Sequence, residues 1–184
     1  MTEQMISRMP RGFNMGKEYA SMLSAPICNW TAYKAAVDDA NTDELDYMNP
    51  LRLRTIMGYV IPEWQRPLVW SQTQMIRFIE SLWMGMPVGT YTINIDPTYG
   101  KGNPRTRNIL VDGQQRMWAL QQYLEDAFPV FGLLYSELNV LERRMFLMIK
   151  WTSFESDSHD EAYIREYYNR MNFGGTAHTE DQRA

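Results

Sequence analysis

Leu110-Val111-Asp112-Gly113-Gln114-Gln115-Arg116 decides how this chain is read. Ile109, Leu110 and Val111 predict a short buried strand. Asp112-Gly113 predicts a tight turn, because glycine accepts backbone angles that other residues avoid. Gln114 opens a predicted helix, since Met117, Leu120 and Leu124 recur at helical spacing and share one apolar face. A strand that passes through a glycine turn into a helix leaves backbone N–H groups free at the helix start. With the helix dipole they form an anion site. Arg116 falls on the first helical turn, where its guanidinium fork reaches the same anion. Gln114 and Gln115 add neutral donors and acceptors. Asp112 is the unusual member: a carboxylate repels phosphate unless a divalent metal lies between them. A plain helix cap is the competing reading of this stretch alone.

A second stretch lies upstream: Ile61-Pro62-Glu63-Trp64-Gln65-Arg66-Pro67-Leu68-Val69-Trp70-Ser71. Pro62 and Pro67 hold it rigid and extended. Rigidity suits a site loop, because less entropy is lost on binding. Gln65 and Arg66 are the polar pair it presents. Arg66 is assigned to the site, while Trp64 and Trp70 are expected to anchor the core.

Bulk properties narrow the classes. The chain has 184 residues, 45% hydrophobic and 22% charged, which suits one globular domain with an extension. Net charge is -4 and the pI is about 5.2, against a broad basic surface for DNA. Cys28 is the single cysteine, which removes internal disulfides and cysteine zinc sites and fits a reducing cytoplasm. No apolar run is long enough to span a membrane, and no signal-peptide core is present. Fourteen methionines suit irregular cores or adaptable surfaces, and a homodimer is compatible with them.

In chain order, residues 1–49 are expected to be an extension and 50–184 the domain. Pro10, Gly12, Gly16 and Pro26 break long elements, so 1–29 reads as largely irregular, with Arg8 and Arg11 on a mobile arm. Trp30, Tyr33, Ala36 and Val37 predict a short helix. Asp38, Asp39, Asp43, Glu44 and Asp46 read as a solvated acidic loop. Asn49-Pro50 reads as a helix start, with Leu53, Ile56 and Met57 inward and Gly58 as the stop. Tyr59 to Ile61 predicts a strand. Ser71 and Gln74 form a capping box opening a helix with Met75, Ile79, Leu82 and Trp83 on one face, closed by Gly85. Val88 to Ile95 predicts a strand. Residues 96–108 form a hairpin loop carrying Lys101, Arg105 and Arg107, the best local basic patch, read first as solvated and second as a DNA or nucleotide contact. Ser136 to Arg144 reads as helix and Phe146 to Thr152 as strand, with helix as the other option. Ser158 and Glu161 read as a second capping box, opening a helix over 159–172 with Tyr163, Ile164, Tyr167, Tyr168 and Met171. Arg170 and Asn172 end that helix and would complete a second polar wall if it reaches the central turn. His159 and His178 show no metal-ligand spacing.

IPEWQRPLVWS and VDGQQR together resemble the ParB-like, sulfiredoxin-fold domain of the GmrSD family, which includes restriction subunits that act on modified DNA. Tyr168-Asn169-Arg170-Met171-Asn172-Phe173-Gly174-Gly175-Thr176, followed by Thr179-Glu180, resembles the third block of that family. The three blocks occur in family order, so the resemblance covers about residues 51 to 180. Gly113 to Ala119 is also similar to the GERRxRA nucleotide motif of ParB proteins, with Gln115 in place of the first arginine. The resemblance implies an α+β fold, a small mixed sheet with packed helices. It also implies nucleoside-triphosphate binding and Mg²⁺-dependent hydrolysis, tied to restriction or anti-restriction in a bacterial or phage-infected cytoplasm. On that reading Gly113 and Gln114 offer backbone N–H groups to phosphate. Arg116, Arg66 and Arg170 offset phosphate charge, and Asn172 joins the nucleotide wall. Asp112 holds Mg²⁺ or orients the attacking water, and Gln115 or Gln65 positions that water. Restriction members usually pair this domain with a His-Asn-His nuclease, for which 184 residues leave no room. A regulatory subunit or a free-standing phage or mobile-element protein is therefore expected, with DNA or a nuclease subunit as partner. The rival readings are a non-catalytic DNA- or protein-binding module that regulates a host system, and a ParB-like DNA-binding or nicking protein.

Overall fold

A computed structural model describes residues 17–19, 21–98 and 100–173. Arg8, Arg11 and His178, and the part of the third block from Gly174 to Glu180, lie outside these residues.

The strand read at Ile109 is β5, Ile109–Asp112, and it lies inside a six-stranded mixed sheet. The other strands are β1 (Lys17–Tyr19), β2 (Thr55–Ile56), β3 (Tyr59–Val60), β4 (Tyr91–Asn94) and β6 (Ser153–Ser156). Their order across the sheet is β1-β6-β4-β5-β3-β2. The pair β4/β5 is the expected antiparallel hairpin, with Ile93 opposite Leu110. Its other neighbours are parallel: β5 against β3 and β4 against β6. The helices are α1 (Ser24–Asp38), α2 (Thr42–Met48), α3 (Gln72–Trp83), α4 (Gln114–Leu124), α5 (Val140–Leu147) and α6 (Glu161–Phe173). The fold is α+β, as the sequence implies.

Side chains alternate across a strand, so β5 feeds two cores. Leu110 joins Ile79 and Leu82 of α3 and Met117 and Leu120 of α4 in the larger one, all essentially inaccessible. Ile109 and Val111 point the other way, onto Ile164 and Tyr168 of α6. Each such side chain contributes about 1.5–3 kcal/mol by leaving water. The predicted faces of α3 and α4 are therefore the buried ones, and α3 and α4 pack on each other.

Several local expectations are corrected. The extension is not irregular over its described part. Residues 17–19 pair with β6 as an edge strand, and a 15-residue helix follows. Pro26 sits in the first turn of α1, where a missing N–H costs nothing. The acidic stretch is not a loop. Asn41 caps α2 by accepting from the Glu44 N–H, and Asp43 and Glu44 then lie at the positive end of the helix dipole.

No helix starts at Asn49-Pro50. The Asn49 side chain donates to the Leu53 carbonyl at 2.7 Å and accepts from the Leu53 N–H at 3.0 Å, so it closes a turn in place of a helix. Ile56 and Met57 face the core from a β2–β3 hairpin instead. Its two turn residues, Met57 and Gly58, both have positive φ, 53° and 78°, the geometry that twists with the strands. A Cβ at Gly58 would lie 2.8 Å from Tyr33 Cβ, so glycine is required there for close approach to α1 as well.

Further along, Phe146 belongs to α5, and the strand begins later, at Ser153. Residues near 149–151 are already extended: Leu23 donates to the Ile149 carbonyl and Trp151 to the Ser21 carbonyl. Helix α6 is capped by Asp160, which accepts from the Ala162 and Tyr163 N–H groups, rather than by Ser158. The capping box of Ser71 and Gln74 is present as expected.

Candidate functional site

The site forms where β5 turns into α4. Gly113 has φ 95°, and a Cβ there would lie 2.9 Å from Tyr91 Cβ. Only glycine permits this turn against β4. The first helical hydrogen bond runs from the Met117 N–H to the Gly113 carbonyl, and no side chain caps the helix. The N–H groups of the first turn, Gln114 to Arg116, therefore have no intrahelical acceptor. They lie beside a cleft of about 50 Å³ lined by Gln65, Arg66, Asp112, Gln114, Arg116 and Asn172, with Trp70 and Tyr168 at its walls.

Three glutamines assemble the cleft from separate pieces of chain. Gln65 donates its amide to the carbonyls of Leu110 and Val111, which fixes the Ile61–Ser71 block against β5. Gln114 donates to the Arg66 carbonyl at 2.7 Å. Gln115 accepts from the N–H groups of Val69 and Trp70 at 3.0 and 3.1 Å, and donates to the Pro67 carbonyl at 3.0 Å. The Gln115 amide is thus turned to the loop and engaged by it on three bonds. Its geometry is that of a positioning residue, whereas the sequence reading made it a candidate for holding water.

The amide oxygens of Gln65 and Gln114 remain. Both are buried and have no hydrogen-bond partner among the described residues. Arg116 Nε is buried and unpartnered as well. Buried polar groups are rarely left unmatched. The three residues that carry these atoms all line the cleft.

The charges are arranged around them. Arg116 Nη2 donates to the Thr90 carbonyl at 2.6 Å and to Asp112 Oδ2 at 3.1 Å. The Arg66 backbone is clamped on both sides, its N–H donating to the Tyr168 hydroxyl at 3.2 Å and its carbonyl receiving Gln114. Its side chain is exposed and has no ion pair among the described residues. Asn172 reaches the lining from α6, its amide donating to the Tyr168 carbonyl at 3.0 Å. Arg170 does not line the cleft; its Nε pairs with Glu166 at 2.7 Å on the outer face of α6.

Tyr168 and Trp70 are the lining residues that the sequence reading assigned to core or interface. Tyr168 does both jobs: its ring meets Trp64 edge-on at 5.0 Å, and its hydroxyl holds the Arg66 N–H. The signal for the second job was its tyrosine hydroxyl, which seeks a partner when buried.

Asp112 is the only carboxylate in the lining, and no cluster of three or more metal-ligating side chains exists among the described residues. A metal held by protein alone does not fit. Mg²⁺ is commonly bound by one carboxylate together with waters and substrate phosphates, and Asp112 is the lining residue that would hold it in that way.

The hairpin loop is less basic than its sequence. Arg107 is buried and paired with Asp96 at 3.0 Å, and Arg105 lies 3.9 Å from Glu161. Burial alone would raise the Asp96 carboxyl. Hydrogen bonds from the Thr98 hydroxyl and N–H, with the Arg107 guanidinium, overcome it and hold the group at about 2. This pair organises the loop, with Arg107 also donating to the Gly100 carbonyl at 2.8 Å. No described helix is long and apolar enough to cross a membrane.

A sheet strand, a glycine turn and an uncapped helix start, locked to a proline-bounded loop, define a domain that presents a small polar cleft. The family model described as GmrSD restriction endonuclease, N-terminal domain, matches residues 49–161, more than half of the chain. The protein belongs to that family, and so to a restriction-linked group. The match contains both the Ile61–Ser71 block and the Asp112–Arg116 turn. No curated protein and no solved structure gives a significant match to the chain.

Proposed function

We propose that the chain binds the phosphates of a nucleoside triphosphate in the Asp112–Arg116 cleft and hydrolyses the terminal one in the presence of Mg²⁺, as part of a restriction or anti-restriction system. What supports this most is the group of three buried, unpartnered polar atoms, Gln65 Oε1, Gln114 Oε1 and Arg116 Nε, beside an uncapped helix start.

The N–H groups of Gln114 to Arg116 and the guanidinium of Arg116 take phosphate oxygens, and Arg66 adds a second charge from the Ile61–Ser71 loop. A magnesium ion on Asp112 would supply the neutralisation that lets a carboxylate share the cleft with phosphate. Gln65 and Gln114 accept hydrogen bonds from the attacking water and so fix its orientation. Its oxygen bonds to the terminal phosphorus as the bridging P–O bond breaks. The products are a nucleoside diphosphate and inorganic phosphate, with a proton released to solvent. Charge stabilisation and orientation are the main requirements of such a transfer.

The test is phosphate release from each ribonucleoside triphosphate, with and without Mg²⁺, beside the Asp112→Asn variant. Mg²⁺-dependent release that the variant loses is expected. Binding without release would make the protein a nucleotide sensor. Absence of both would overturn the reading.

A further inference from the structure

The cleft at Asp112–Arg116 is about 50 Å³. Pockets for small organic ligands are usually roughly 300–1,000 Å³. The cleft therefore holds a phosphate-sized group and leaves the rest of a nucleotide outside. Where the rest goes is decided by what adjoins it. A groove of about 410 Å³ shares two lining residues with the cleft, Trp70 and Arg116. It runs between α3 and the 86–88 segment and is otherwise lined by Gln74, Arg77, Phe78, Ser81, Met86, Pro87 and Val88. The comparable groove beside Trp64 and Arg105 shares no lining residue with the cleft.

The chemistry of this groove is two-sided. Trp70, Phe78, Met86, Pro87 and Val88 make it apolar, with the Trp70 ring tilted on Phe78 at 5.7 Å. Arg77 is exposed on its rim and forms no ion pair among the described residues. The wall is fixed, because the Trp151 indole donates to the Gly89 carbonyl at 3.0 Å, next to Val88. Few polar groups face a base edge: the Gln74 oxygen is taken by the Ser71 N–H and the Ser81 hydroxyl by the Arg77 carbonyl. An aromatic face with apolar walls binds any base through its π-face, with little readout of its edge.

We propose that the Trp70–Arg77–Val88 groove seats the nucleoside of a nucleoside 5′-triphosphate whose terminal phosphates occupy the Asp112–Arg116 cleft, with Arg77 over the polyphosphate and little discrimination among bases. This rests on the phosphate reading of the cleft.

The test compares two probes, ATP and inorganic tripolyphosphate, both with Mg²⁺, on the wild-type chain and on Met86→Glu and Arg77→Ala. Both substituted residues are exposed, so both variants should fold. In the wild type ATP is expected to bind at least about tenfold more tightly than tripolyphosphate, since the groove adds contacts that only the nucleoside makes. Met86→Glu should weaken ATP about tenfold more than it weakens tripolyphosphate, because its charge repels both probes and its polarity disturbs only the nucleoside, whereas Arg77→Ala should weaken both alike. GTP, CTP and UTP should follow ATP within about fivefold. Equal affinity for ATP and tripolyphosphate, or ATP binding weakened by Met86→Glu no more than tripolyphosphate binding, would overturn the groove while leaving the cleft intact. Binding of neither probe would overturn both.

Discussion

Arg116 Nη2 lies 3.1 Å from Asp112 Oδ2, and the same nitrogen lies 2.6 Å from the Thr90 carbonyl oxygen. One guanidinium therefore neutralises the carboxylate of the turn and ties it to the segment that enters β4. Both side chains are mostly buried, so the pair is stiffer and less screened than a surface bridge. The two groups are opposed in their response to phosphate: Arg116 attracts it and Asp112 repels it.

That opposition gives a signed prediction. Asp112→Asn should tighten metal-free tripolyphosphate binding by about fivefold and abolish the gain that Mg²⁺ gives the wild type. Arg116→Ala should lose polyphosphate binding under both conditions. Titrations with and without Mg²⁺ decide it. An Asp112→Asn protein that keeps the wild-type Mg²⁺ response would remove the metal role from Asp112.

Gln115 should reveal itself in stability before it does in chemistry. Gln115→Ala strands the N–H groups of Val69 and Trp70 and the Pro67 carbonyl, at a cost of roughly 1–3 kcal/mol. Gln115→Glu keeps an acceptor for the two N–H groups, so its loss should be the smaller at acid pH, where the buried carboxyl is protonated and still donates to Pro67. Urea unfolding of both variants at that pH measures the difference; equal losses would mean that the loop finds other partners.

Gly113→Ala meets two penalties, a left-handed φ of 95° and a Cβ 2.9 Å from Tyr91 Cβ. The expected destabilisation is about 2–4 kcal/mol, with anion binding lost even in the folded fraction because the turn must reopen. A folded variant that binds tripolyphosphate normally would show that the turn tolerates a side chain.

The Asp96–Arg107 pair sets an acid limit. The Asp96 carboxyl is held at about 2, below its ordinary 3.8, so in the window between them the unfolded chain binds the extra proton. The stabilisation is fully present above pH 4, falls as pH drops through about 2, and is worth about 2 kcal/mol at neutrality. Stability measured from pH 5 to pH 2 should therefore fall less steeply in Asp96→Asn, which starts lower. Parallel curves would place the acid sensitivity elsewhere.

The sheet strand, the glycine turn and α4 were legible because their signals are local: an apolar triplet, Asp-Gly, and Met117, Leu120 and Leu124 at helical spacing. The cleft was half legible. Gln65, Arg66 and Asn172 do reach it, but Arg170, two residues before Asn172, sits on the outer face of α6 because a helix turns by about 200° over two residues. Gln115 was visible as a polar residue and not as a staple, since its partners lie 45–48 positions away in sequence. Asn49-Pro50 misled for a different reason. Its signal is the same for a helix cap and for an asparagine that closes a turn on Leu53, and the hairpin at Met57-Gly58 settles which one forms.

The cross-ties of the cleft have a consequence for its proton inventory. Gln65, Gln114 and Gln115 are carboxamides, and none of them ionises between acid and alkaline extremes. The scaffold that brings the loop to the helix start is thus electrically silent. A change of pH therefore does not loosen these three cross-ties. A wall that came apart with acidity would need a titrating strut here; this one has amide struts, so the loop and the helix start stay joined across that range.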